Sequence, residues 1–503
     1  MAEALTRLRR MEATQPQQNA GRVAKNTTYL TVALIGHKVL SFLYVLILAR
    51  LVGVSSTGDY FSSVSFIALF TVFIDLGLTT TLIRQTARDQ QQGQTDLRHI
   101  VAFKMISSVV VAAIMLWIIQ ALVDAGRFQT NISYLRMAAI IMVMDSFVVT
   151  LYGFLRGIER LEFESVGIII HRVAIMLFGI IGLMLGAPPI MTMYALLAAS
   201  VSNFAFVTFQ LWKRSVQWWP TWNWSAIRRL IITAAPFAVA TLFSALFSTS
   251  DNILLQIYSG PHEVGLYATG SKIITAFTQI FPVALTAAVF PAMSAAFIRD
   301  REKLGSIFKD AVTYLLIVSV PLTVVISLLA KQIILLGWGP FWVDVAIPLR
   351  ILALAIPFVF LYYPVGYLLN ATNKQTRNTV NICIAVTLNI IANLIFIKEY
   401  SYLSVAIISA STSAFLLLLG LLQIRNIIPI PWKYFMSVAG KCIIAGAALA
   451  SVTWKLLPYA HGRSPSTVII GVSMMLLYAL FMMVLGLVRP RHFRAVLQRI
   501  RRS

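Results

Sequence analysis

The chain has 503 residues, of which 59% are hydrophobic and 12% are charged, and its formal net charge is +23. Soluble proteins carry about 25% charged residues, so this composition excludes an ordinary soluble globular protein. Hydrophobic runs of about 18 residues or more recur along the chain, each long enough to cross a bilayer as a helix. The chain is therefore predicted to be an all-α integral membrane protein.

Fourteen membrane-spanning helices are predicted in chain order, with no cleavable signal before the first. They cover residues 29–51, 59–82, 100–122, 134–155, 166–186, 190–212, 232–257, 265–290, 311–330, 346–369, 379–397, 403–422, 437–457 and 466–488. We interpret them as two pseudo-symmetric six-helix bundles, 29–212 and 232–422, followed by two additional C-terminal helices in 423–488. The remaining segments are an N-terminal tail (1–28), a linker (213–231) and a C-terminal tail (489–503).

The distribution of positive charge predicts the orientation. The segments that would face the cytoplasm with the N-terminus inside hold 28 Lys and Arg residues, whereas the opposite loops hold four. This bias places both termini in the cytoplasm. Because it also accounts for most of the net charge, no nucleic-acid partner is expected.

Two polar segments are expected to lie at the membrane surface. The linker carries four tryptophans suited to the headgroup level, namely Trp218, Trp219, Trp222 and Trp224. The C-terminal tail has an apolar helical face and several arginines, which is typical of an amphipathic helix on an anionic leaflet. A disordered basic tail is the alternative.

A short pattern, Gly-x4-Gly-x-Tyr, occurs twice between long hydrophobic runs. The first copy runs from Gly53 to Tyr60 and the second from Gly260 to Tyr267, 207 residues later. Two helical hairpins with the same turn chemistry indicate an internal duplication.

Ionisable residues inside the predicted spans are the candidate functional residues, because each costs about 2.5–3.5 kcal/mol near a helix centre. Lys104, Arg136 and Arg350 lie near span ends, where their side chains are expected to reach the headgroups. The deeper cations are Lys38, Arg172 and Lys272, with His37 beside Lys38; the acidic candidates for coupling or gating are Asp75, Asp145 and Asp251.

Helical spacing places some of these residues on polar faces. In the first span His37, Ser41 and Tyr44 share one face, which indicates a cavity wall. A similar stripe in the seventh span comprises Thr241, Ser244, Ser248 and Asp251, and helix–helix packing through small polar residues is the alternative there.

The excess of deep cations favours an anionic substrate, and phosphate suits Lys and Arg well. The chain has no Walker motif, Gly-rich nucleotide loop or zinc motif, and both cysteines fall within predicted spans, so no cofactor is expected. Transport would then need an ion gradient, the membrane potential or a downhill reaction of the substrate. The outer loops are all short, which argues against an enzyme such as a glycosyltransferase or polymerase.

Several short motifs occur in a fixed order along the chain. They are Ala49-Arg50-Leu51-Val52-Gly53, Gly58-Asp59-Tyr60, Asp75-Leu76-Gly77-Leu78 with Arg84, Asp251-Asn252, Val264-Gly265-Leu266-Tyr267, Phe290-Pro291-Ala292-Met293-Ser294, and Asn370-Ala371-Thr372-Asn373-Lys374 with Asn389 and Asn393. With these motifs the chain resembles the bacterial polysaccharide-unit flippases of the multidrug/oligosaccharidyl-lipid/polysaccharide exporter superfamily.

The resemblance implies two bundles around a central cavity that opens alternately to each side of the cytoplasmic membrane. It implies an undecaprenyl-diphosphate-linked sugar unit as substrate, with polysaccharide polymerase and co-polymerase proteins as expected partners. The substrate-binding residues would be Lys38, Lys272, Arg172, His37, Asp59 and Arg50. In the related lipid II flippases, cations in the first and eighth helices and an acid opening the second serve the substrate, and Lys38, Lys272 and Asp59 are similarly placed.

The chain departs from lipid II flippases because Lys replaces Arg at two of these positions and the first span is less Arg-rich. This favours an exopolysaccharide, capsule or O-antigen unit as cargo. Two alternatives stay open: a cation-coupled drug exporter of the same fold, and a non-transporting membrane scaffold of a polysaccharide-assembly complex. A scaffold would not need Lys38 or Lys272 within membrane spans, and a drug exporter would favour an acidic cavity.

Overall fold

A computed structural model describes the backbone from Ala2 to Leu487, apart from residues 127, 129, 130 and 460–465. Side chains are described from residue 36 onward, apart from those of residues 37, 127, 129, 130, 279, 280, 284, 286–288, 460–465 and 488–503. The C-terminal tail and the side chains of His37 and of the N-terminal tail therefore lie outside the described residues.

The described chain consists of fifteen α-helices and two short 3-10 helices, without strands. The α-helices are α1 (Ala2–Asp75), α2 (Leu78–Arg88), α3 (Gln90–Asp124), α4 (Ile132–Gly157), α5 (Leu161–Met184), α6 (Met191–Trp212), α7 (Trp224–Tyr258), α8 (Pro261–Arg299), α9 (Arg301–Leu328), α10 (Ala330–Gly337), α11 (Ala346–Ala353), α12 (Ile356–Ala371), α13 (Gln375–Ile424), α14 (Trp432–Leu456) and α15 (Ser466–Val484). The predicted all-α class is confirmed.

Within the described residues, ten helices are long and apolar enough to cross a membrane, or eleven if the bent pair Pro340–Ala353 and Ile356–Ala371 forms one span. The helix α13 contains two predicted spans, and α1 contains one predicted span and most of the next, which ends in α2. Each of these long helices is broken where the backbone departs from helical angles, at Gly53 in α1 and at Ser401 in α13. The predicted number of fourteen is therefore approximate.

The two copies of the glycine pattern adopt the same backbone conformation. Gly53 has φ 77° and ψ 179°, and Gly260 has φ 90° and ψ 177°, in a region that side chains with a Cβ rarely adopt. The second glycine of each copy is needed for close packing: a Cβ on Gly58 would lie 1.7 Å from the Pro261 carbonyl oxygen, and one on Gly265 would lie 2.2 Å from that of Val54. The shared conformation supports the duplication.

The chain forms two compact units. Unit 1 comprises Met1–Val52 and Asp59–Thr249, and unit 2 comprises Gly53–Gly58 and Ser250–Ser503. The boundary at residue 249 falls within α7, whereas the predicted domains meet at the linker, so the predicted limits stay a prediction.

Each unit has its own buried core. In unit 1, α2, α3, α4, α6 and the start of α7 pack together through residues such as Leu82, Leu97, Leu151, Leu211 and Leu230. In unit 2, one cluster joins α8, α9, α12 and α13, and a second joins α9 to the C-terminal helices α14 and α15 through Ile317, Leu449 and Met474. The additional C-terminal helices thus belong to unit 2.

Candidate functional site

Two predicted cations lie together in unit 1. Lys38 on α1 and Arg172 on α5 are both half-buried, and their charges interact. Two like charges held close in an apolar environment repel one another, and an anion placed near both relieves that repulsion. The arrangement therefore suits a ligand that carries more than one negative charge.

Aromatic hydroxyl groups border this cationic pair. Arg172 interacts electrostatically with Tyr44 and Tyr60, whose rings meet edge to face with centroids 6.2 Å apart. The Tyr44 hydroxyl is buried and makes no hydrogen bond to a described residue. A buried hydroxyl normally has a partner, so this group is an unusual unsatisfied donor beside the cations.

Unit 2 contains a half-buried carboxylate with three donors. Asp251 accepts hydrogen bonds from the Tyr267 hydroxyl at 2.5 Å, the Ser409 hydroxyl at 2.6 Å and the Asn393 amide at 3.1 Å. The Asn393 side chain is fully buried, and its Oδ1 has no hydrogen-bond partner among the described residues. The cluster thus presents a charged carboxylate beside a buried amide oxygen, which suits a proton or a small cation.

The polar cluster continues along α13. Asn393 also donates to the Asn389 Oδ1 at 3.0 Å, and Asn389 donates to the Thr412 hydroxyl at 3.1 Å. Asn389 and Asn393 belong to the sequence motifs, whereas Ser409 and Thr412 were not predicted. The feature that brings Ser409 and Thr412 to this cluster is the break in helical angles at Ser401, which folds the second part of α13 back beside the first.

The duplication relates the Asp251 cluster to the aromatic pair of unit 1. Asp251 lies 207 residues after Tyr44, and Tyr267 lies 207 residues after Tyr60. In the same way Asn393 lies 214 residues after Gly179, and Ser409 lies 214 residues after Ala195. Gly179 occupies the corresponding place in unit 1, since a Cβ there would lie 3.1 Å from the Tyr44 hydroxyl and 3.3 Å from Ala195 Cβ. The two copies have therefore diverged in chemistry: one holds a carboxylate, and the other holds tyrosines beside an arginine.

A buried ion pair lies in unit 1, where α1 ends. The Lys104 ammonium donates to Asp75 at 2.6 Å, to the Thr150 hydroxyl at 2.6 Å and to the Ser146 carbonyl at 3.3 Å, and its side chain is fully buried. All three ammonium protons thus have partners. The expectation that Lys104 reaches the headgroups was wrong, because Asp75 on a neighbouring helix holds it inside the protein.

The remaining predicted residues are more dispersed. Lys272 is an exposed residue of α8 in unit 2, and Arg50 is an exposed residue of α1 in unit 1. Asp59 is half-buried, and the half-buried Asp145 lies beside Ser200. Arg136 and Arg350 are exposed, as expected for side chains that reach the headgroups.

The polar stripe predicted on α7 makes local contacts except at Asp251. The Thr241 hydroxyl donates to the Phe237 carbonyl, and the Ser248 hydroxyl donates to the Ser244 carbonyl. These bonds stay within the helix, so they give no evidence for a cavity wall. Among the described residues no three His, Cys, Asp or Glu side chains are grouped as a metal site.

Comparisons with known proteins place the chain in a family. The sequence model of the family described as "Polysaccharide biosynthesis protein" matches residues 23–297, and that of the MatE family matches residues 236–395. A relative from Escherichia coli (strain K12), named "Putative O-antigen transporter", is 24% identical over 348 residues, covering 67% of this chain and 80% of that protein.

Solved structures share the fold at low sequence identity. The lipid II flippase MurJ in an inward closed conformation matches with a TM-score of 0.74 and 15% identity, covering 91% of this chain and 98% of that one. An inward-facing multidrug resistance transporter of the MATE family matches with a TM-score of 0.63 and 14% identity, covering 80% and 98%. The resemblance inferred from the sequence motifs is confirmed.

Proposed function

Because the chain belongs to the polysaccharide biosynthesis protein family, and has the fold of the superfamily of multidrug and lipid-linked oligosaccharide exporters, we propose that it is a flippase for lipid-linked oligosaccharides. Its cargo is a polyprenyl-diphosphate-linked unit of an exopolysaccharide, capsule or O-antigen. The unit moves from the inner to the outer leaflet of the bacterial cytoplasmic membrane.

The observation that carries this proposal is the pair of interacting cations in unit 1. Lys38 and Arg172 are near enough for their charges to interact, and a diphosphate bears charge on two adjacent phosphates, so the proposal is that it contacts both cations. At an effective dielectric constant near 20, a charge pair about 4 Å apart contributes roughly 4 kcal/mol before desolvation is subtracted. The guanidinium fork of Arg172 matches phosphate oxygens, and the buried Tyr44 hydroxyl supplies a further donor.

Alternating access moves the bound headgroup across the membrane while the polyprenyl tail stays in lipid. The rings of Tyr44 and Tyr60 are buried beside Arg172, where they help to fix the position of the guanidinium. Further contacts for the headgroup during this movement are Asp59 and Arg50, which lie near the turn after Gly53. Lys272 in unit 2 is another.

We assign the coupling role to Asp251. A carboxylate held by three donors changes its surroundings when it takes up a proton or a cation, because the donors must then reorient. Tyr267 on α8 and Ser409 on α13 would transmit this change to the helices of unit 2. Asp75 is better suited to a structural role, since Lys104 already neutralises it.

Transport of defined cargo tests the proposed function. The purified protein is placed in liposomes with a fluorescent polyprenyl-diphosphate oligosaccharide or with a neutral glycolipid that carries the same sugars. We expect accelerated transbilayer movement of the diphosphate cargo alone, because the cations in unit 1 need an anion. Equal rates for both cargoes would contradict the proposal.

The role of Asp251 is tested in the same liposomes with an imposed proton or sodium gradient. Wild-type transport should accelerate under one of these gradients, whereas Asp251→Asn should transport at a rate independent of both. The conservative change Ser409→Ala removes one donor and should weaken the response without abolishing it. A gradient response that is unchanged in Asp251→Asn would exclude this residue from coupling.

A cation-coupled drug exporter is the second candidate, favoured by the match of the MatE family model to residues 236–395, which include Asp251. Such a protein would lower the accumulation of cationic dyes in cells that express it. The Lys38 and Arg172 pair disfavours this candidate because it repels cationic substrates.

A further inference from the structure

An open cavity of about 460 Å³ lies in unit 2 between the start of α9 and the segment before α14. Arg301, Gly305 and Lys309 form one side at spacings of four residues, so they share one face of α9. Pro429, Ile430 and Pro431 form the opposite wall. The cavity is thus a basic helix face covered by an apolar strap.

The two cations are held in place by aromatic rings. The Arg301 guanidinium lies 4.9 Å from the centroid of the Phe297 ring, and the Lys309 ammonium lies 4.9 Å from that of Tyr434. Neither cation forms an ion pair with a described carboxylate. Between them, a Cβ on Gly305 would meet nothing within 4 Å, so the space above this glycine is open.

The charge of the lining defines the ligand. Arg301 and Lys309 contribute two positive charges and Glu302 contributes one negative charge, which leaves the cavity with a net charge of about +1. A phosphodiester carries a single negative charge and therefore matches the cavity better than a diphosphate does.

A cavity of unit 1 shows that a net positive charge of the lining is not a general property of cavities beside the loops. That cavity, of about 400 Å³, is lined by Arg160 and Arg214 together with Glu159 and Glu162. Its positive and negative charges are equal in number, and Arg160 pairs with Glu162 at 3.2 Å.

The position of the unit 2 cavity defines the class of molecule. The loop charges place this end of α9 on the cytoplasmic side, where the apolar part of the helix begins at Ala311. Trp432, 52% exposed, and the exposed Tyr434 follow the apolar strap, and such rings favour the headgroup level. A ligand with an anionic head and an apolar body fits this boundary.

We propose that this cavity binds one anionic phospholipid of the inner leaflet. The phosphodiester lies over Gly305 between Arg301 and Lys309, and the glycerol and first acyl carbons pack on Pro429 and Ile430. Basic pockets on the cytoplasmic side of membrane helices commonly bind such headgroups. The bound lipid would join α9 to the segment that leads into the C-terminal helices.

Lipid binding to the purified full-length protein tests the proposal. Phosphatidylglycerol or phosphatidylcholine is added in neutral detergent, and bound lipid is measured by native mass spectrometry. We expect the wild type to bind one phosphatidylglycerol and little phosphatidylcholine. The double variant Arg301→Gln/Lys309→Gln should bind phosphatidylglycerol roughly thirtyfold more weakly, because each cation near an anionic lipid contributes about a fivefold factor.

Two further variants separate a built site from diffuse attraction. Gly305→Leu fills the open space while keeping both charges, so it should also lose the bound lipid. The control Arg228→Gln/Arg377→Gln removes two exposed cations that line neither described cavity and should bind like the wild type. Melting temperatures without added lipid verify that each variant is folded.

Three outcomes would overturn the proposal. Wild-type affinity in Gly305→Leu would show diffuse attraction to basic loops. Equal binding of phosphatidylcholine would show that charge is not recognised. Displacement of phosphatidylglycerol by a tenfold lower concentration of a polyprenyl diphosphate would assign the cavity to the transport substrate instead.

Discussion

At the scale of single residues, the partners of a buried charge decide its role. Lys104 has a carboxylate, a hydroxyl and a carbonyl within reach, so its three protons are satisfied inside the protein. Lys38 instead lies close to another cation. The first arrangement stabilises the fold, whereas the second favours a bound anion.

The Asp75–Lys104 pair gives a stability prediction. Lys104→Met leaves a carboxylate that is 15% exposed without its cation, and breaking such a buried pair costs about 3–5 kcal/mol. The free energy of unfolding should therefore fall by about this amount. In Asp75→Asn/Lys104→Met both charges are gone, so much of the loss should be recovered.

Unfolding of the purified variants in detergent measures this effect. Arg136→Met is the matched control, because Arg136 is an exposed cation of a predicted span and should tolerate the change. If Lys104→Met unfolds like the wild type, the pair does not stabilise unit 1.

Sequence reasoning found most of the charged residues of the candidate site but not their partners. Their place within hydrophobic runs identified Lys38, Arg172 and Asp251, because charges are rare in membrane spans. It misjudged Lys104, since the deciding partner, Asp75, lies 29 residues earlier on another helix. Ser409 was missed because serine is common in membrane helices and its contact with Asp251 spans 158 residues.

At the scale of elements, the repeated turns show how a short pattern specifies packing. The first glycine of each copy takes a positive φ, and the second allows two backbones to touch. The sequence predicted both turns, and their shared glycine conformation supports the predicted duplication. It could not predict that the two turns pack against each other, because nothing local in either copy describes the other.

Alanine at the second glycine of each turn tests this packing. Gly58→Ala and Gly265→Ala would each force a Cβ into a backbone carbonyl, and overpacking costs about 1–3 kcal/mol or more. Each variant should show a lower melting temperature in detergent. Gly305→Ala is the control: its Cβ meets open space within α9, so it should be neutral or raise stability by about 0.5–1 kcal/mol.

Unchanged melting of Gly58→Ala and Gly265→Ala would mean that the turns do not pack as described. A lowered melting temperature in Gly305→Ala would show instead that any added methyl group is harmful in this protein.

At the scale of the whole molecule, composition alone predicted an all-α membrane protein, and the motifs predicted the superfamily. The predicted number of fourteen spans is approximate because α1 and α13 continue through their breaks. The orientation stays a prediction from the loop charges. The internal duplication explains why one fold carries two different buried sites, an aromatic and cationic one in unit 1 and an acidic one in unit 2.

The central claim is that Lys38 and Arg172 together recognise the diphosphate of the cargo. The direct measurement is the rate at which Lys38→Gln, Arg172→Gln and their combination move a fluorescent polyprenyl-diphosphate oligosaccharide across liposomes, with Lys38→Arg and the exposed-cation control Arg136→Gln beside them. Each single Gln variant should be slowed at least about tenfold, a loss of about 1.4 kcal/mol, which is well below the full charge interaction. Lys38→Arg should retain most of the rate because it keeps the charge. Wild-type rates in the combined variant, with normal reconstitution, would contradict the account.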